Sequence, residues 1–345
     1  MEPLPTRPVC GRMAWRGADL VQQGDWIDAL TPDELTALGA AAGRLGENPA
    51  SWIGARPEGL PLGPLATRVA RMADELENGR GFLLIRGIDA TLALHELKKL
   101  YWVLGVHFGR IVPQNMKGEL LGSVTDKGSR YLDDVNARGY TSNDELFFHS
   151  DAGDAVSLLC VRQARTGGDN AIVSTMAIYN VLLEEAPHLL PVLARGFPVY
   201  VRDEAKGARV GGVTVGEVSG RRFPVFSHYK GRLSGGINLK SVRAVAQVTG
   251  VPFTSEETEA LDAFESIATR DGMALSLRAQ PGDILIVNNC MVLHKRTGFE
   301  DYEAPDRKRL LLRFWINLHN GRELAPEIET ALRRGFDATP VVEAA

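Results

Sequence analysis

The stretch Phe147-Phe148-His149-Ser150-Asp151, taken with His294 far downstream, offers two imidazoles and one carboxylate to a single metal ion. Residues two apart in an extended strand share a face, so His149 and Asp151 can reach one ion together. Three protein ligands leave coordination positions open for exchangeable groups. A His-x-Asp tripeptide is common, and by itself it equally describes a solvated strand end. His294 is the discriminating residue. It follows the turn Pro281-Gly282-Asp283 and the apolar run Ile284 to Val287, and it precedes Lys295-Arg296-Thr297-Gly298, where a strand emerges into a polar rim. His188 and His95 sit in helical contexts, and His107, His228 and His319 have no acid partner at ligand spacing.

A second constellation lies in Arg309-Leu310-Leu311-Leu312-Arg313-Phe314-Trp315-Ile316-Asn317-Leu318. The even positions are apolar, and the odd face carries Arg309, Arg313 and Asn317. A guanidinium on an otherwise apolar sheet face is costly without an anion. Its fork suits a carboxylate, so the pair would either hold an acidic ligand bidentately or form structural salt bridges with Asp or Glu. The same three metal ligands also suit a zinc hydrolase, in which an open position activates water. The arginine face disfavours that reading, because hydrolysis needs no clamp for a dicarboxylate.

The elements that must position these groups read as strands with helices between them. Gly81 to Gly87, Ala155 to Val161, Ala171 to Val173, Met273 to Leu277, Ile284 to Asn288 and Arg309 to Leu318 are strand-like. A hairpin is expected over Phe223 to Asn238, turning at Lys230-Gly231. Helical spacing runs from Leu92 to Leu104, a helix starts near Ser174, and the capping box Thr254/Glu257 opens another that ends near Arg270. Residues 1–75 read as a mostly helical preface, with Thr31-Pro32-Asp33-Glu34 as one helix start. Residues 76–345 read as the catalytic part of a single structural unit, with lid segments near 112–146 and 203–220. The fold class is mainly β with α decoration.

Bulk properties narrow the partners. With 345 residues, 44% hydrophobic content and a net charge of -4, the chain can bury a large core and lacks the basic surface that nucleic-acid binding needs. Cys10, Cys160 and Cys290 are too few and too scattered for a disulfide framework or zinc cluster. With no apolar run long enough to span a bilayer and no basic-then-apolar start, a cytoplasmic protein acting on a small molecule is expected. Self-association into a homo-oligomer stays open.

With those residues assembled, the chain resembles the TauD/TfdA family of Fe(II)- and 2-oxoglutarate-dependent dioxygenases, of the clavaminate-synthase-like superfamily. The likeness covers roughly Gly81 to Leu318. It is carried by His149-x-Asp151, Gly167-Gly168-Asp169-Asn170 with the following Tyr179 helix, Asn289 through His294, and Arg309-x-x-x-Arg313. The resemblance implies a double-stranded β-helix, or jelly roll, flanked by helices. It implies His149, Asp151 and His294 as ligands of Fe(II), Arg309 on the distal carboxylate of 2-oxoglutarate, and Arg313 on cosubstrate or a substrate carboxylate. Asn170 stands where a threonine commonly bonds 2-oxoglutarate, Asn288 where Asp is frequent, and Cys290 and Lys295 where Arg and Gly are expected.

The implied reaction consumes O2, splits 2-oxoglutarate to succinate and CO2, and oxidises a substrate C–H bond. Asp151 points to hydroxylation, desaturation or ring formation and not to halogenation, because halogenating relatives replace this carboxylate. A carboxylate- or amino-acid-like substrate is expected, with Gln114, Asn115, Asn143 and Arg313 as candidate contacts. A cupin-like binding protein without turnover is the non-enzymatic alternative.

Overall fold

Alternation along the strands builds the fold. In the computed structural model, which describes residues 2–202, 209–210, 213–333, 336 and 338–342, the strand Leu310–Leu318 is buried along its whole length. It lies inside a seven-stranded sheet in the order Ile27–Ala29, Phe82–Arg86, Ile284–Asn288, Ala155–Arg162, Leu310–Leu318, Gly109–Val112, with Gly122–Val124 also pairing with Leu310–Leu318. All these pairings are antiparallel except the first, Ile27–Ala29 with Phe82–Arg86. Leu310, Leu312, Phe314 and Ile316 share a core with the helices Pro32–Ala42, Leu65–Asn78 and Leu94–Phe108. Leu311 and Trp315, on the other face, point toward a second sheet.

That second sheet is antiparallel, ordered Leu275–Leu277, Asn170–Ser174, Val292–Arg296, Leu146–His149. Its outer residues Phe148, Ala171, Val173 and Leu293 pack with the helices Thr175–Glu185, Leu190–Arg195, Leu239–Thr249 and Ser255–Thr269. Its inner residues Ile172, Leu275 and Val292 meet Phe82, Leu84, Val156, Leu285 and Val287 of the large sheet. The layers thus run helix, sheet, sheet, helix, and the paired sheets form a double-stranded β-helix.

Local signals explain the joints. Thr31 and Thr254 both close capping boxes with Glu34 and Glu257, each contributing about 1 kcal/mol. The hairpin Phe226–Tyr229/Arg232–Gly235 turns on Lys230 and Gly231 at φ 49° and 73°, a left-handed pair matching strand twist.

One expectation needs correction and others gain detail. The preface holds the helices Gly17–Gln23, Pro32–Ala42 and Leu65–Asn78, the last running past residue 75, and its one short strand, Ile27–Ala29, joins the large sheet. The strand Val292–Arg296 was not anticipated, because Lys295 and Arg296 break the apolar pattern; His294 is therefore central in a strand, not at its exit. The segment 112–146 holds the strand Gly122–Val124 and the 3-10 turn Gly139–Thr141. Of the second expected lid, residues 203–208, 211 and 212 lie outside the described residues, and Val213–Thr214 pairs with Arg209–Val210. No helix among the described residues is long and apolar enough to cross a membrane.

Candidate metal and cosubstrate site

Strand register, not sequence proximity, assembles the site. His294 stands opposite His149 on one neighbouring strand and opposite Ile172 on the other. The two imidazole centroids are 4.2 Å apart and tilted by 47°. Asp151 arrives differently from the expected strand alternation. The strand ends at His149, and the carboxylate rides on the following turn. Asn289 fixes that turn: its Oδ1 accepts from the Asp151 N–H at 3.2 Å, and its Nδ2 donates to the carbonyls of Ala152 and Gly153 at 3.3 and 3.0 Å. One ligand atom from each of His149, Asp151 and His294 lies within 4.8 Å of the others.

The chemistry of this donor set fits a divalent ion. His149 Nδ1 is 2.8 Å from the Phe147 carbonyl. A carbonyl only accepts, so Nδ1 carries the proton and Nε2 keeps its lone pair for a metal. Asp151 Oδ2 is 3.8 Å from His294 Nε2 and 3.7 Å from Arg313 Nη1. Both distances exceed hydrogen-bond range, so the ligand atoms face a common space instead of each other. Burial, with His149 adding to it, pushes the His294 imidazole down to about 3, and burial lowers His149 as well. Burial would raise the Asp151 carboxyl, but Arg313, His294 and His149 outweigh it and hold the group at about 2. Neutral imidazoles beside an ionised carboxylate are the protonation states that bind metal.

Arg309 supplies the second half. It is 3% exposed and lines the same cavity as the three metal-facing residues. Its guanidinium lies 5.0 Å from the Phe299 ring centroid, and its buried Nη1 has no hydrogen-bond partner. Burial pulls the guanidinium down to about 10. A buried cation with an orphaned donor fits an anionic cosubstrate beside the metal.

Residues 45–315 match the family described as "Taurine catabolism dioxygenase TauD, TfdA family". The chain belongs to this family. It is a TauD/TfdA 2-oxoglutarate-dependent non-haem iron dioxygenase, working with Fe(II), 2-oxoglutarate and O2, and the zinc-hydrolase and non-catalytic alternatives fall with that membership. It is 33% identical over 329 residues to FR-33289 synthase of Streptomyces rubellomurinus, covering 94% of both proteins. It is 23% identical to the taurine hydroxylase-like protein SAT17 of Stachybotrys chartarum, covering 94% of this chain and 83% of that protein. Among solved structures, asparagine oxygenase in complex with Fe(II), 2S,3S-3-hydroxyasparagine and succinate shares the fold at TM-score 0.61 and 17% identity, covering 85% of this chain and 93% of that one. The non-heme iron oxygenase OrfP with Fe and alpha-ketoglutaric acid does so at 0.60 and 15%, covering 84% and 93%.

The other anticipated residues of this TauD/TfdA dioxygenase divide. Asn170 and Arg313 line the cavity. Arg313 is not a free fork: Nε donates to Gln114 Oε1 at 2.7 Å, and its plane faces Tyr140 at 4.7 Å. Gln114 is not a lid contact. It is 1% exposed and also donates to the Arg313 carbonyl at 2.9 Å, so it braces that arginine from behind. Asn115 caps its own turn through the N–H groups of Lys117 and Glu119, and Asn143 donates to the Phe299 carbonyl at 3.2 Å. None of these three lines the cavity.

Sequence reading missed Asn289 as the clamp on the ligand turn, and Tyr131, Tyr140, Arg202 and Arg296 as cavity wall. Arg296 donates to the Ser142 carbonyl at 2.8 Å and to the Asp144 carbonyl, tying the 139–146 loop to the strand that carries His294. The adjoining Asn-Asn pair was the available signal for Asn289; an isolated arginine in a loop carried none.

Proposed function

We propose that this dioxygenase hydroxylates an unactivated C–H bond of a small carboxylate- or amino-acid-like metabolite, releasing succinate and CO2. His149, Asp151 and His294 would hold Fe(II), Arg309 would grip the distal carboxylate of 2-oxoglutarate, and the Asn170 side-chain amide would donate a hydrogen bond to that cosubstrate. The observation that carries this assignment is the orphaned, buried Nη1 of Arg309 in the cavity that the three ligand atoms share. Iron with 2-oxoglutarate supplies the oxidising power, coupling decarboxylation to attack on the substrate C–H bond.

The chain's own groups orient and protect. The Phe147 carbonyl holds His149 in the tautomer that offers Nε2, and Asn289 holds the Asp151 turn. Gln114 and Asp151 restrain Arg313 at the cavity wall. Retention of a carboxylate at Asp151 favours hydroxylation or a related oxidation over halogen transfer. Support for an amino-acid-like substrate comes from the solved relatives, crystallised with 3-hydroxyasparagine and with (3S)-hydroxy-L-Arg. The free Cys160 and Cys290 suit a reducing, cytoplasmic setting.

Anaerobic addition of Fe(II) and 2-oxoglutarate should produce a weak visible metal-to-ligand band, and admitting air should release succinate. A missing band in folded protein, or one that survives Asp151→Ala unchanged, sinks the assignment. A panel of amino acids and other carboxylates, scored by stimulated succinate release, then tests the substrate class.

A further inference from the structure

Most cations around the metal cavity have an assignable counterpart. Lys295 lies 3.7 Å from Glu145. Arg296 is taken up by backbone carbonyls, Arg313 by Gln114 and the face of Tyr140, and Arg309 by the cosubstrate under the proposed function. Arg138 stacks on Phe336 at 5.0 Å. Arg202 is left over. It lines the cavity with His149, Asp151 and Arg313, its Nε is buried without a hydrogen-bond partner, and no carboxylate among the described residues pairs with it.

The neighbourhood of Arg202 is built for negative charge. Tyr131, 4% exposed, lines the same cavity. Burial raises its phenol, so it stays protonated and can donate. Behind its ring sits Lys240, with Nζ 3.6 Å from the centroid and 2.9 Å from the Asp134 carbonyl. Asp151 is the sole carboxylate lining the cavity among the described residues, and metal binding would occupy it. A cationic substrate tail would therefore find no counter-charge, whereas an oxyanion would relieve a buried guanidinium.

We infer that Arg202 anchors an oxyanion group of the substrate, with Tyr131 as a second donor, and that the dioxygenase selects a net-anionic molecule over a cationic one. The inference rests on the Fe(II) and 2-oxoglutarate assignment of the same site. It places the substrate's acid on the wall formed by Tyr131 and Arg202 and leaves Arg309 to the cosubstrate. A carboxylate, a sulfonate and a phosphonate share the required chemistry.

The test uses full-length protein loaded anaerobically with Fe(II) and saturating 2-oxoglutarate. Propionate, ethanesulfonate, ethylphosphonate and ethylammonium are titrated as probes, read by calorimetry and by perturbation of the visible band. At least one oxyanion should bind and ethylammonium should not, and the ranking of the three identifies the acid. Arg202→Gln should weaken the best probe by about tenfold or more, the scale of a lost charge-assisted hydrogen bond. Arg202→Lys should recover part of that loss, and 2-oxoglutarate affinity should stay within about twofold in both variants. Melting temperature and an intact band establish that the variants fold. Equal probe binding by wild type and Arg202→Gln, or ethylammonium binding as well as the oxyanions, overturns the inference. Absence of the band in folded wild-type protein overturns the iron and cosubstrate assignment instead, and the inference with it.

Discussion

Replacing Arg309 by leucine separates a cosubstrate clamp from a structural salt bridge. The guanidinium is 3% exposed, its Nη1 lacks a partner, and burial has pulled it down to about 10. A displacement of that size corresponds to roughly 3 kcal/mol held against the charged form in the folded chain. Because the folded value lies below the unfolded one, this cost is fully present at neutral pH and begins to fade only as pH rises past about 10. Arg309→Leu should therefore melt no lower than wild type when 2-oxoglutarate is absent. With 2-oxoglutarate present the order should reverse, since removing one partner of a buried charge pair costs about 2–5 kcal/mol. That range corresponds to roughly thirtyfold to several-thousandfold in Kd. Anaerobic titration of the visible band gives the cosubstrate Kd, and a separate Fe(II) titration gives the metal Kd. Unchanged 2-oxoglutarate affinity, or a parallel loss of iron affinity, would refute the clamp and make Arg309 a structural residue.

Further outcomes follow from the same geometry. Asn289→Ala should free the turn bearing Asp151 and weaken Fe(II) binding about 10- to 100-fold; metal titration that matches wild type would show that the clamp is dispensable. Gln114→Leu leaves the buried Arg313 Nε without its acceptor, so thermal denaturation should report about 1–3 kcal/mol of lost stability. With His294 lowered to about 3 and Asp151 held at about 2, protons compete poorly for the ligands. Fe(II) affinity should thus stay level from pH 8 to pH 6, whereas imidazoles titrating near their ordinary value of ~6.5 would begin to lose affinity there. The same depression makes the metal-free protein lose stability as pH falls from ~6.5, where unfolded imidazoles take up protons, toward 3; a flat melting temperature across that window contradicts it.

How much of this was legible in the sequence depended on periodicity. The strand Leu310–Leu318 announces itself through its uniformly apolar even positions, and its odd face put Arg309 and Arg313 together as the structure does. The capping boxes and the Lys230-Gly231 turn are local signals, and local signals survived. Val292–Arg296 was invisible because its inward residues include His294 and Arg296, so function replaced the apolar pattern that marks a strand. Gln114 was misread for a related reason: polarity in a long loop looks like solvent or ligand contact, and only the tertiary structure reveals a buried amide bracing an arginine. Arg202 had no periodic neighbours, and no sequence signal ties it to residues its fold neighbours supply.

The pairing of His149 with His294 has a kinetic consequence. The two imidazoles face each other only when the short strands Leu146–His149 and Val292–Arg296 have found each other, and the chain between them contributes two strands of each sheet and four flanking helices. Contacts of such long sequence separation form slowly, because the entropy of closing the intervening chain must be overcome first. A metal ion offered to the unfolded chain therefore finds no preassembled pair to template folding from. Metal capture becomes a readout of completed strand pairing, and bound iron would act chiefly by holding the finished structure against unfolding.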